Sequence, residues 1–126
     1  MSTLAPAELV ERIWERDPSV WTGHGEAHWL GWLDEPARMR ERAHELLEFA
    51  TQLEAEVDDV VLMGMGGSSL APEVMRRSFG AERFHVLDTT HPTAIRRLRE
   101  RIDADRTLFV AASKSGTTLE TRSHID

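Results

Sequence analysis

Three short apolar runs, Val60-Val61-Leu62-Met63, Phe84-His85-Val86-Leu87 and Thr107-Leu108-Phe109-Val110-Ala111-Ala112, alternate with two stretches of helical pattern, Ala71 to Phe79 and Pro92 to Ile102. Runs that are apolar at successive positions belong to strands covered on both faces. A strand that returns through a helix meets its neighbour in parallel, because the crossover carries the chain back to the same end of the sheet, and the crossover is right-handed. From Asp59 onward the chain is therefore expected to be α/β, an incomplete doubly wound parallel sheet.

The half before that sheet reads as helical. Leu9, Val10, Ile13 and Trp14 share one helical face, and Asp17-Pro18 ends the segment. Asp17 to Pro36 is a loop or short helix in which Trp21, Trp29 and Trp32 are expected to act as packing anchors. Pro36 suits the first position of a long helix, on which Met39, Ala43, Leu46, Leu47, Ala50 and Leu53 recur at helical spacing. The expected organisation is a helical leader over residues 1–56 packing on a sheet domain over residues 57–126.

A chain of 126 residues can build one core but is short for two. Its net charge of -7 argues against nucleic acid or an anionic membrane as a general partner, while leaving small anions open, since local fields decide those. Without cysteine there is neither a disulfide framework nor a thiolate metal site. No apolar run reaches membrane-spanning length and the opening residues lack the pattern of a secretion signal, so a cytoplasmic protein is expected. His24 and His28 have a ligand-like spacing, but Glu26 is misplaced for a His-Glu-x-x-His motif and no third ligand is evident; no metal is expected.

In an open parallel sheet, ligands bind beyond the carboxyl ends of the strands. Two loops stand there. After the first strand, Gly64, Gly66 and Gly67 let the backbone turn and approach a ligand, and Ser68 and Ser69 offer hydroxyls and a cap. A Walker loop requires a lysine that is absent, and a dinucleotide fingerprint requires glycine at 64, 66 and 69, where serine occupies the last. Asp88 nevertheless stands about where a ribose-binding acid belongs, so a nucleotide-binding domain is kept as an alternative. After the third strand come Ser113, Lys114, Ser115, Gly116, Thr117 and Thr118, a dense set of donors for a phosphate. Lys114 is the sole lysine among fifteen basic residues. A capping box of Thr117 with Glu120 would account for those two residues but not for Ser113, Lys114 and Ser115. His91, before Pro92, reads as a turn residue, and the arginines from Arg96 to Arg106 as a solvated face.

Taken together, Gly64-Met65-Gly66-Gly67-Ser68-Ser69-Leu70-Ala71-Pro72-Glu73 and Ser113-Lys114-Ser115-Gly116-Thr117-Thr118-Leu119-Glu120 resemble the two signatures of the sugar isomerase (SIS) phosphosugar-binding domain in the glucose-6-phosphate isomerase family. The stretch Arg12 to Asp34 is similar to the isomerase half of bacterial proteins that fuse transaldolase to this enzyme, and the resemblance runs from Ile13 to the last residue. It implies a flavodoxin-like strand order, 2-1-3 for the first three strands. Gly67 and Ser68 would contact the sugar, and Ser113, Lys114, Ser115 and Thr118 would hold its phosphate. Glu120 would correspond to the acid that orients a ring-opening histidine.

The implied reaction interconverts glucose 6-phosphate and fructose 6-phosphate, in glycolysis and gluconeogenesis. A base moves a proton between C2 and C1 through an enediol, and no metal or organic cofactor takes part. In the family the base, the ring-opening histidine, a lysine near the ring oxygen and an arginine that stabilises the enediolate lie downstream of both signatures. The resemblance therefore implies an amino-terminal fragment, inactive alone. The other reading is a module of the same fold that senses a phosphosugar without turning it over.

Overall fold

In the computed structural model, which describes residues 5–126, the three apolar runs form one parallel sheet of order β2-β1-β3. Its strands are β1 (Asp59–Gly64), β2 (Phe84–Leu87) and β3 (Thr107–Ala112). Among the described residues six α-helices accompany them: α1 (Pro6–Trp14), α2 (Glu35–Glu41), α3 (Ala43–Glu56), α4 (Gly67–Phe79), α5 (Pro92–Arg99) and α6 (Leu119–Ile125). The mixed architecture, the parallel pairing and the 2-1-3 order agree with the expected α/β class. The chain divides into two compact units, one up to Phe49 and one from Ala50 to Asp126.

Within the first unit, α1 carries the predicted apolar stripe, and Asp17 turns the chain after it. The Asp17 carboxylate accepts from the Ser19 amide at 2.9 Å and from Arg12 Nε at 2.8 Å. Those bonds, Ser19 first, hold its pKa down at about 2. Glu26 closes the next turn by accepting from the amides of Thr22 and His24, a local role that explains its place between two histidines. The segment Glu26–Leu33 is a 3-10 helix, and its buried residues are Leu30 and Leu33. With three residues per turn, those two stack on one face. Trp29 and Trp32 are instead 61% and 57% exposed, so the expectation that the tryptophans anchor the packing is corrected. The long helix expected from Pro36 is interrupted at Arg42 (φ -96, ψ 5), where α2 gives way to α3; nothing in the structure explains the break.

In the second unit β1 is the central strand, and Val61, Leu62, Met63 and Gly64 are buried as a continuous apolar run predicts. Val61, Met63 and Leu87 form the core, with Leu98 and Ile102 packed against it. The outer strands are less covered than their sequences suggest. Phe109 on β3 is 45% exposed and opens with Met63, Leu87 and Ala111 onto a cleft of about 810 Å³.

At the amino-terminal end of the sheet one carboxylate ties the entries of all three strands. Asp58, just before β1, accepts from Arg83 Nη2 at 2.7 Å, just before β2, and from Arg106 Nε at 2.6 Å, just before β3. Arg106 first and Arg83 second hold the Asp58 carboxyl at about 2, below its ordinary value of 3.8. A carboxyl depressed in the folded state stabilises the fold above its unfolded pKa and loses that contribution as pH falls through the folded one. Stability is therefore expected to decline between about pH 4 and pH 2. The decline should be shallower in Asp58→Asn, as followed by the urea midpoint against pH. These groups are exposed to solvent, so the difference should shrink in high salt.

Candidate functional site

The register aligns Gly64, the last residue of β1, with Ala112, the last residue of β3. Neighbouring strands lie roughly 4.8 Å apart, so the loops that follow leave the same end of the sheet side by side.

The first loop is very short. Only Met65 and Gly66 separate β1 from α4, which begins at Gly67, four residues before the expected start. Gly66 (φ +54, ψ -122) takes a conformation that a side chain would resist, and it turns the chain directly into the helix. Its carbonyl accepts from the amides of Ser69 at 3.0 Å and Leu70 at 2.9 Å, so the first turn closes without a side-chain cap. Ser69 is buried, and its hydroxyl donates back to the Gly66 carbonyl at 3.0 Å. It braces the turn and offers no hydroxyl outward, a correction to the reading that paired it with Ser68.

Gly67 is exposed and Ser68 half-buried. A Cβ on Gly67 would meet nothing within 4 Å, whereas a Cβ on Gly64 would lie 3.0 Å from the Ser68 carbonyl and 3.2 Å from that of Ala112. The two glycines thus differ in kind: Gly64 is required by close backbone approach, and Gly67 leaves open space above the loop.

The second loop, between β3 and α6, is held by its own hydroxyls. Ser113 Oγ accepts from the Gly116 amide at 3.0 Å and lies 3.3 Å from Thr118 Oγ1. Ser115 Oγ accepts from the Thr117 amide at 3.2 Å and lies 2.9 Å from Thr117 Oγ1. Lys114, Ser115 and Thr117 are exposed; Ser113, Thr118 and Glu120 are half-buried. The helix starts one residue later than a Thr117 cap requires: Thr118 is its N-cap, without a side-chain cap bond, and Glu120 stands at its second position. The capping box is therefore not formed. The four hydroxyls and Lys114 are gathered on one short arc of chain, and the two hydroxyl pairs can exchange their mutual contacts for an oxyanion.

Three further polar side chains, those of His91, Thr121 and His124, were not among the expected site residues. His91 caps α5, its Nδ1 accepting from the Thr93 amide at 3.2 Å, as its turn reading implied. His124 on α6 places Nε2 3.1 Å from the Thr89 carbonyl and so ties α6 to the end of β2. Buried Thr121 Oγ1 and His124 Nδ1 have no protein partner. Only their spacing, on one face of a helix beginning at Leu119, distinguishes them in the sequence. Among the described residues no three His, Asp or Glu side chains converge as a metal cluster, and no helix is long and apolar enough to cross a membrane.

Residues 36–125 match the family model described as phosphoglucose isomerase. The chain belongs to the phosphoglucose isomerase family. Among its relatives is a glucose-6-phosphate isomerase of Thermus thermophilus, 43% identical over 96 residues, which covers 73% of this chain and 22% of that one. The enzyme of the same name from Chlamydia pneumoniae is 32% identical over 126 residues, 95% of this chain and 22% of that one. A crystal structure of a hypothetical protein from Thermus thermophilus superposes with a TM-score of 0.67 at 36% identity, covering 94% of this chain and 28% of the other. The chain thus spans about a fifth of the length of the curated isomerases it matches. Family membership sets the nucleotide-binding alternative aside.

Proposed function

We propose that this chain forms the phosphosugar-binding part of a glucose-6-phosphate isomerase. The observation that carries the reading is the Gly64–Ala112 register, which delivers both signature loops to one end of the sheet in a chain of this family. Gly67 and Ser68 would lie against the sugar. Ser113, Lys114, Ser115 and Thr118 would hold the phosphate by charge-assisted bonds, which are about twice as strong as neutral ones. Glu120 would act only by orienting a histidine, and residues 57–126 would constitute the first part of the phosphosugar domain, with residues 1–56 as its leader. The proton transfer between C2 and C1 needs a base, and none of the residues gathered at these loops is assigned to it. The 126-residue chain by itself is therefore expected to show no isomerisation. Fusion to transaldolase is a finer reading, supported only by the resemblance of Arg12 to Asp34.

The test is a chimera in which this segment replaces its counterpart in the Thermus thermophilus isomerase. Conversion of glucose 6-phosphate by the chimera supports the reading; a folded chimera that neither binds nor converts it overturns it. Gly67→Val in the same chimera should abolish binding, with helix content unchanged by circular dichroism, because the added side chain enters the space above the loop and no protein atom. Binding equal to the parent would mean that the loop is only a turn.

A further inference from the structure

β2 is an outer strand of the sheet. Among the described residues β2 pairs only with β1. The Arg83 carbonyl accepts from the Val60 amide, and in a parallel ladder alternate residues face the partner, so Val86 turns its N–H and C=O to the open side. A groove of about 640 Å³ runs along this edge between α4 and α5. Arg76 and Arg77 border it from α4, and Arg97 and Arg101 from α5 and the turn after it. Glu73 engages both α4 arginines, at 2.7 and 2.6 Å, and Asp88 adds one more acid. Among the described residues Arg97 and Arg101 have no ion-pair partner. Four arginines against two acids make this groove locally positive in a chain whose net charge is -7.

We infer that the β2 edge is a docking site for an extended acidic peptide of a partner protein, which adds a strand beside Val86 and sets its carboxylates against Arg97 and Arg101. Strand addition draws affinity from main-chain bonds and specificity from alternate side chains. Open edges are normally blunted by shortness, proline, a bulge or lysine; β2 is short, four residues, but Phe84–Leu87 contains neither proline nor lysine. Basic strands are repelled by the arginine rim, neutral ones gain only the ladder, and acidic ones gain both. The inference goes beyond the sugar site and does not depend on it.

The test uses the 126-residue chain and a fluorescent peptide of alternating glutamate and valine. Binding by anisotropy, with slowed hydrogen exchange at the Val86 amide, is expected. The double variant Arg97→Glu/Arg101→Glu should weaken binding at least tenfold while keeping its circular dichroism spectrum. A peptide N-methylated at alternate residues should lose binding to the unaltered chain, a control independent of any variant's folding. Equal binding of a lysine-valine peptide, of the N-methylated peptide, or of an oligothymidylate of the same charge would overturn the inference, as would unchanged binding by the double variant.

Discussion

Lys114→Ala, placed in an isomerase chimera carrying this segment, is expected to weaken glucose 6-phosphate binding by roughly 10- to 150-fold. A hydrogen bond to a charged group contributes about 1.5–3 kcal/mol, and each 1.4 kcal/mol is tenfold in affinity. The loop supplies no substitute cation, since Lys114 is the only lysine and Ser113, Ser115, Thr117 and Thr118 are neutral. The bonds that Ser113 and Ser115 accept within the loop do not involve the Lys114 side chain, and a melting curve of the variant checks that the fold is kept. Calorimetric titration with glucose 6-phosphate and with glucose separates the contributions: the loss should appear only for the phosphorylated sugar. Unchanged binding by the variant would remove the phosphate assignment from this loop.

The second large effect falls on the fold. Gly64→Ala should lower the melting temperature by roughly 4–24 °C, since overpacking costs about 1–3 kcal/mol and each kcal/mol shifts a small domain by about 4–8 °C. The added Cβ would sit 3.0 Å from the Ser68 carbonyl and 3.2 Å from that of Ala112. These are backbone atoms of α4's first turn and of β3, so relief requires the strand or the helix to move. Gly67→Val, three residues on, should leave the melting temperature within a few degrees. Differential scanning calorimetry of the two variants decides the point. Similar shifts for both would mean that the loop does not divide into a packing glycine and a binding glycine.

The sheet was legible because its evidence lies in the residues themselves. Val60–Met63 has no polar position to turn outward, so it must be a central strand, and the helices between the apolar runs force parallel pairing. The positions of the two loops were legible for the same reason, since each begins where an apolar run ends. Details decided by neighbours were not. The early start of α4 depends on Gly66 turning the chain so that its carbonyl captures the Ser69 and Leu70 amides, against the weak helical preference of glycine and serine. Ser69 looks identical to Ser68 in sequence, and only helical direction sends it inward. The cap at Thr118 rather than Thr117 follows from hydroxyl pairs within the loop that no spacing rule records. The tryptophans misled because large apolar area marks a candidate for burial, while three-residue periodicity put Leu30 and Leu33 inside instead.

The order β2-β1-β3 also has a consequence for how the chain is made. The central strand is the first to be synthesised, and neither of its neighbours is close behind. Asp59 pairs with Thr107, forty-eight residues later, and Val60 with Phe84, twenty-four later. At roughly 5–20 residues per second, β1 waits about 2–10 s for its second partner. Throughout that interval Val60–Met63 has one border or both unpaired, and it is the most apolar segment of the chain. Contacts of such long sequence separation also fold slowly once available. The residue that ends up fully covered, Val61 at 0% exposure, thus belongs to the strand that waits longest for its second partner.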